Sequence, residues 1–225
     1  MPQASASRRG APHPPRRVNP RGEGSRLRGE LIDAGYALLA ETGHAGQLSI
    51  RAVAARAGVA ATSVYLHFAD LEALKVAVAE RGFADLATAR AEAIAGIEEP
   101  AANLIARCLA YVDFALAHPG QYRLMFGPDL PPGAFTGSYN AANSASRSAY
   151  ESLIDAIRDC QHSGAAAADT DPTRLAALLW PALHGQVTLR LDRPHFPRPP
   201  LHEVITETVQ RLISLRPDTH PIPRA

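Results

Sequence analysis

LSIRAVAARAGVAATSVYLHFADLEAL, residues 48–74, is the stretch whose reading decides the fold. Ser49 stands just ahead of Ile50, Val53, Ala54 and Ala57, which recur at helical spacing, so the serine is the expected N-cap of a short amphipathic helix. Gly58 supplies the stop, because only glycine enters a left-handed turn without a steric cost. A second short helix is predicted over 61–66, and Asp70 or a neighbour then caps a longer helix carrying Leu71, Leu74 and Val78. Two short helices joined by a glycine-containing turn form a helix-turn-helix. Ala54 is small where the two helices must cross. Val59, Val64 and Phe68 are the expected apolar anchors of the second helix.

The polar residues of this segment match a polyanion. No acid occurs between Glu41 and Asp70, whereas His44, Arg51, Arg56 and His67 do. Thr62, Ser63 and Tyr65 add hydroxyls on the second helix. Hydroxyls, cations and the N–H groups at helix starts are the groups that bind phosphate oxygens, and the second helix of such a unit enters the major groove. Ser49 is expected both to cap its helix and to hold a phosphate. The plain alternative is an ordinary solvated surface. The turn glycine and the anchor spacing, taken together with the missing acids, favour double-stranded DNA as the partner.

Outward from this segment the chain reads as all-α. Residues 1–22 are rich in Pro, Gly, Ser and Arg, and five arginines precede the first acid, Glu23. Such a segment cannot bury enough apolar surface to fold, so 1–22 is expected to be a disordered basic arm. It either follows DNA phosphates or is a solvated tail. Leu27, Leu31, Ala34 and Leu38 repeat at helical spacing up to Gly43, and 23–69 is expected to form a three-helix DNA-binding domain. Further helices are predicted at about 100–118, 120–126, 140–163, 172–191 and 201–215. They are expected to build a second helical domain over 70–216, followed by a disordered tail at 217–225. No strand alternation bounded by hairpin signals is present.

Composition narrows the class. Of 225 residues, 46% are hydrophobic and 20% charged, and the net charge is +1, as in ordinary globular proteins. Cys108 and Cys160 are the only cysteines. They offer no disulfide framework or thiolate metal cage, so buried reduced thiols are expected. No apolar run approaches about 18 residues and the N-terminus lacks a signal-peptide core, which predicts a cytoplasmic protein with no membrane partner. There is no phosphate loop, no His–Glu pair at metal spacing and no nucleophile elbow, so no cofactor, metal or catalytic residue is expected.

The stretches Ile50-Arg51-x-Val53-Ala54, Ala57-Gly58-Val59 and Val64-Tyr65-x-His67-Phe68, with Leu74 beyond them, resemble the DNA-binding region of the TetR family of regulators. The resemblance is close over roughly residues 31–82. It implies phosphate contacts from Tyr65 and His67, and base or sugar contacts from Thr62 and Ser63. Two positions depart from the family pattern. Leu71 stands where the family commonly has a phosphate-binding lysine, which would leave Lys75, one turn later, to compensate. Ala60-Ala61 replaces residues that are often polar. The expected DNA-contacting set is therefore Ser49, Arg51, Thr62, Ser63, Tyr65, His67 and Lys75.

Near the end of the chain, Leu175, Leu178, Leu179, Leu183, Val187 and Leu191 form one apolar stripe. Leu201, Val204, Ile205, Thr208, Val209, Leu212 and Ile213 form another. Stripes this wide suit a homodimer interface, although burial within one subunit would also account for them. Trp180-x-x-x-His184-Gly185 resembles the W-H-G signature of one C-terminal domain type in the same family. Trp180 and His184 share a helix face, and Gly185 permits close approach of another backbone. Whether this signature lines a pocket or packs the core is left open by the residues alone. Pro181 is expected to kink the helix unless the helix begins there. Tyr111, Tyr122, Tyr150, Trp180 and His184 are the candidate ligand-lining residues, with His118 and Arg123 as further possibilities, for an unknown small-molecule effector. The loop 127–137 either gates such a pocket or only connects two helices.

The reading that results is a dimeric regulator, a repressor released from its operator by a ligand. Two alternatives stand beside it: a helix-turn-helix protein without an effector, and an enzyme using His184 as a general base.

Overall fold

The computed structural model describes residues 24–130 and 144–216. The basic arm, the C-terminal tail, most of the predicted gating loop and the first residues of the predicted 140–163 helix lie outside them. Among the described residues there are nine α-helices and no sheet, only an isolated bridge between Ala166 and Leu215.

Local chemistry sets the helix ends. Helix α1 (Gly24–Thr42) stops at Gly43, whose φ is +69°, and a short 3-10 turn (Ala45–Gln47) follows. Helix α2 (Ile50–Ala57) is capped by Ser49, whose Oγ accepts from the Ala52 N–H, and it closes on Gly58 at φ +68°. Helix α3 (Ala61–Val64) continues as turns, with the His67 and Phe68 N–H groups donating to the Val64 carbonyl. Asp70 caps α4 (Leu71–Ala93) by accepting from the Ala73 N–H at 2.8 Å. Glu99 with Pro100, and Asp171 with Pro172, start α5 (Pro100–Ala117) and α8 (Pro172–Asp192) in the same way: a carboxylate takes free N–H groups and a proline occupies the first turn. Between them lie α6 (Pro119–Phe126) and α7 (Ala145–His162), and α9 (Leu201–Ile213) closes the order.

Helix α1 packs on both α2 and α4, and α2 on α3, around Leu31, Leu39, Leu48, Val53, Ala54, Val64, Phe68, Leu74 and Val78, all buried. Val59 is half-buried against the same core. Helix α5 occupies the centre of the remaining bundle, in contact with α4, α6, α7, α8 and α9. By length and composition α5 could span a bilayer, which corrects the expectation that no such stretch exists. In this fold its Leu104, Cys108, Tyr111 and Val112 face other helices, as in the core helix of a bundle. Cys108 and Cys160 are free and buried, as expected, and burial pushes both thiols up to about 12.

Pro181 does not end α8. The helix runs through it. Proline lacks the N–H that would bond the carbonyl four residues back, and both Pro181 and Ala177 lie on the exposed side, where that carbonyl is not shut away from water.

Helix α6 joins the two regions. Its N-terminus lies against the end of α1 so closely that a Cβ on Gly120 would sit 2.1 Å from the Leu39 carbonyl oxygen. The buried Gln121 donates to the Tyr36 carbonyl, and Arg123 donates to the Gly43 carbonyl.

Candidate functional site

On the DNA-binding side, Thr62, Tyr65 and Leu66 project from α3 and the turn after it, and Arg51 is exposed on α2. Tyr65 is 57% and Leu66 80% exposed. Ser63, His67 and Ser49 are half-buried around them, with the Ser49 hydroxyl already engaged as a cap. The guanidinium of Arg28 lies over the Phe68 ring at 5.0 Å, bringing an α1 cation to the end of the reading segment. Arg56 pairs with Glu41 at 2.7 Å, so part of the expected positive character is neutralised locally.

Lys75 is engaged within the chain. Its Nζ donates to the Asp129 carbonyl at 3.0 Å and to Glu72 Oε1 at 3.1 Å, and the side chain is only 14% exposed. These bonds take two of the three donors of its ammonium group. The lysine fastens the start of α4 to the segment after α6.

In the bundle, all five candidate ligand-lining residues converge. Tyr111 on α5 hydrogen-bonds Tyr122 on α6 at 2.9 Å, and Tyr122 Oη lies 2.5 Å from His184 Nδ1 on α8. Trp180 lies 6.1 Å from the His184 ring and 6.0 Å from that of Tyr150 on α7, centroid to centroid. Phe126 sits among them, 5.8 Å from Trp180 and 5.6 Å from His184. Tyr111, Tyr150 and Trp180 line a cavity of about 260 Å³ together with Phe83, Leu86, Arg90, Phe126 and Leu153. Tyr122 and His184 line a second space, of about 320 Å³, on the other side of Phe126.

The W-H-G signature thus divides its work. Trp180 lines the first cavity, while His184 is a hydrogen-bonded neighbour behind it. His118 lies at the α5–α6 junction, stacked on Phe114 at 4.7 Å and absent from both cavity walls. Arg123 borders the second space but spends its guanidinium on Gly43 and on Leu191 and Asp192 of α8.

Burial lowers the His184 pKa below its ordinary 6.5, so the ring is neutral, with Nδ1 hydrogen-bonded to the Tyr122 hydroxyl. The Tyr111 hydroxyl is pushed up to about 12, chiefly by burial, with the Tyr122 and Trp180 hydrogen bonds pulling the other way. Tyr122 is raised further, again by burial. The cluster is therefore uncharged at neutral pH.

Residues 31–78 match the family described as "Bacterial regulatory proteins, tetR family", and residues 104–214 match "Tetracyclin repressor-like, C-terminal domain". The chain belongs to the TetR family. It is a DNA-binding transcription regulator of that family, with the helix-turn-helix at its N-terminal end and the helical body behind it. Similar solved structures include a Rhodococcus sp. RHA1 protein of unknown function, 27% identical, with a TM-score of 0.66 over 84% of this chain and 94% of that one. RolR, solved in complex with resorcinol, is 17% identical, with a TM-score of 0.67 over 90% and 97%. FadR of Bacillus halodurans, a fatty acid degradation regulator, is 14% identical, with a TM-score of 0.63 over 87% and 97%. No curated protein sequence matches the chain.

Two exposed or buried positions of this TetR-family protein escaped sequence reasoning. Leu66, the unnamed residue between Tyr65 and His67, is the most exposed large apolar side chain among the described residues. Arg90 lines the cavity from α4. It continues the inward stripe Val78, Gly82, Phe83 and Leu86, a periodicity that signals an interior position even for a cation.

The neutral imidazole predicts a pH dependence. In the unfolded chain His184 takes up a proton as pH falls through 6.5, whereas in the folded chain it resists doing so. The unfolded state then binds more protons, and stability drops as pH falls below 6.5, with no contribution above it. His184→Gln is expected to flatten that part of the melting temperature–pH curve relative to wild type. Parallel curves would refute the neutral, buried assignment.

Proposed function

We propose that this TetR-family regulator is a homodimeric repressor, released from its operator when a small molecule enters the cavity walled by Tyr111, Tyr150 and Trp180. The observation that carries the reading is the shared helix α6. Its Phe126 lines the cavity, while its Gly120, Gln121 and Arg123 are fastened to α1 and the turn after it. An occupant that repositions Phe126 acts on the same rigid element that seats the DNA-binding helices. If the occupied and DNA-bound states prefer different placements of α6, the two affinities oppose each other, and the coupling is reciprocal.

An unpartnered apolar face supports the dimer. On α8, Leu178, Pro181, Ala182, Gly185 and Leu189 fall on one outward stripe, and Leu178 and Leu189 are 52% and 56% exposed. Val204, Thr208 and Leu212 lie half-buried on the neighbouring α9. A Cβ on Gly185 would meet nothing within 4 Å among the described residues, so the close approach that a glycine allows is left for a second copy. Two reading helices are what two half-sites one helical turn apart require.

On the DNA, Tyr65, His67, Ser49 and Arg51 are assigned to phosphates, and Thr62, Ser63 and Leu66 to the groove, with Leu66 against a thymine methyl. Tyr65→Phe is expected to weaken binding to all sequences alike, by about 1 kcal/mol. Thr62→Ala and Leu66→Ala are expected to reorder the preference among operator variants in competition gel shifts. Lys75→Ala is expected to leave the salt dependence of binding unchanged and to lower stability by roughly 0.5–1.5 kcal/mol through its lost bond to Asp129. A reduced salt slope in Lys75→Ala would return that lysine to the phosphate-contacting set.

The deciding experiment is a gel shift with purified protein and the DNA flanking its own gene, repeated with small aromatic and aliphatic compounds. The proposal predicts a retarded band that a subset of compounds releases. A band that no compound releases would favour a regulator without an effector.

A further inference from the structure

Arg90 is a cation walled into an apolar cavity without a counter-ion. Its Nη1 donates to the Ala149 carbonyl at 2.8 Å and approaches Ser152 Oγ at 3.4 Å. Its Nε is shut off from solvent and has no hydrogen-bond partner. The guanidinium stands 5.7 Å from the Tyr111 ring centroid. No aspartate or glutamate lines the cavity among the described residues, and residues 131–143, between α6 and α7, contain none in their sequence. The nearby titratable groups offer no compensation. Cys108 and Tyr111 are both held protonated by burial, and Arg107 is a like charge.

Folding would not leave an ion in such a place for stability alone. A buried charge without a partner is unfavourable, and removing one often stabilises the protein. The remaining cavity wall is mainly apolar and aromatic, Phe83, Leu86, Phe126, Leu153 and Trp180, with Ser146 and the tyrosines Tyr111 and Tyr150 as its polar members. The site therefore has two parts, a cationic end and a body that accepts a flat or branched hydrocarbon. At interior packing density, 260 Å³ holds a molecule of about ten non-hydrogen atoms.

We infer that the effector of this cavity is a small amphipathic carboxylate, its carboxylate on the Arg90 guanidinium and its apolar body against Phe83, Leu86, Phe126 and Trp180. This rests on the reading of the cavity as the effector site and names the chemical class that site takes. Arginine suits the task because its fixed fork of N–H donors matches a carboxylate, and such charge-assisted bonds gain strength where water is excluded. Neither a neutral phenol nor an alcohol would neutralise the guanidinium.

The test compares matched probes on the full chain. Benzoate, phenylacetate and hexanoate at millimolar concentration are set against benzamide, benzyl alcohol and hexanol, with thermal unfolding and calorimetry as readouts. The carboxylates are expected to raise the melting temperature and the neutral partners to leave it unmoved. Arg90→Gln is expected to weaken carboxylate binding about tenfold to a hundredfold, and Arg90→Lys to retain more of it. A second measurement needs no ligand. Arg90→Met is expected to melt at or above the wild-type temperature, because it removes an uncompensated ion.

Equal stabilisation by the neutral probes, silence from every carboxylate, or unchanged affinity in Arg90→Gln would each overturn the inference. So would a marked loss of stability in Arg90→Met, which would make the arginine a structural tie to Ala149. Neutral compounds that bind and release operator DNA would sink the carboxylate while leaving the effector reading intact. Carboxylates that bind through Arg90 without releasing DNA would do the reverse.

Discussion

Gly185→Arg is expected to yield a folded monomer that binds operator DNA two to four orders of magnitude more weakly than the wild type. Gly185 sits midway along the outward stripe of α8, one turn from Pro181 and one from Leu189, with open space where a side chain would stand. Within one subunit the arginine therefore displaces none of the described residues, and its cost there is small. Across a two-fold interface the same face meets itself, so each substitution enters the contact twice. A charged, long side chain in the middle of an apolar seam leaves a desolvated cation with no partner on either side. Loss of the dimer uncouples the two half-sites, and linking two such binding events is worth about 10²–10⁴ in affinity. Sedimentation gives the oligomeric state, thermal unfolding verifies the fold, and a gel shift reads the affinity. A variant that remained dimeric with its operator affinity intact would place the dimer contact elsewhere.

Gly120→Ala is expected to be among the most damaging single-methyl additions in the chain. The new Cβ would lie 2.1 Å from the Leu39 carbonyl oxygen, 2.8 Å from its carbon and 3.1 Å from the Gly43 Cα. These are backbone atoms, so no rotamer change relieves the overlap, and α6 and the end of α1 must part. Overpacking of this kind costs about 1–3 kcal/mol, with the upper end expected where the neighbour is main chain. At this chain size that corresponds to a fall of roughly 2–4 °C in melting temperature per kcal/mol. The separation also strains the Gln121–Tyr36 and Arg123–Gly43 hydrogen bonds, so the link between the cavity and the DNA-binding helices weakens along with stability. Gly29→Ala is the matched control. It is a helical glycine with nothing within 4 Å of its would-be Cβ, and it is expected to gain about 0.5–1 kcal/mol. If both variants melted like the wild type, the α1–α6 contact would be looser than the geometry requires.

The helix-turn-helix was legible because its signals are local. Ser49, Gly58 and Asp70 act on groups within a few residues of themselves, and Val64 and Phe68 bury at the spacing the sequence displays. The aromatic candidates were also found, since residue type alone marks Tyr111, Tyr122, Tyr150, Trp180 and His184 as polar-tipped groups on apolar faces. Their division into two spaces was not legible. It depends on Phe126, whose position is fixed by helices far apart in sequence. The tie of Lys75 to Asp129 and the interior position of Arg90 were missed for a common reason. A cation is expected at the surface, and its true partner, a carbonyl 54 or 59 residues away, leaves no trace in the local pattern. For Arg90 the inward stripe of α4 was a usable signal, outweighed by the habit of reading charge as exposure.

The two thiols provide a measure of how often the bundle comes apart. Cys108 and Cys160 sit on adjacent helices at the core, protonated and closed to solvent. An alkylating reagent reacts with the thiolate, so each cysteine is silent until its helix separates from the rest. The labelling rate of the native protein is therefore a clock for opening of α5 and α7, the helices that flank the cavity. Any molecule that fills that cavity should slow it.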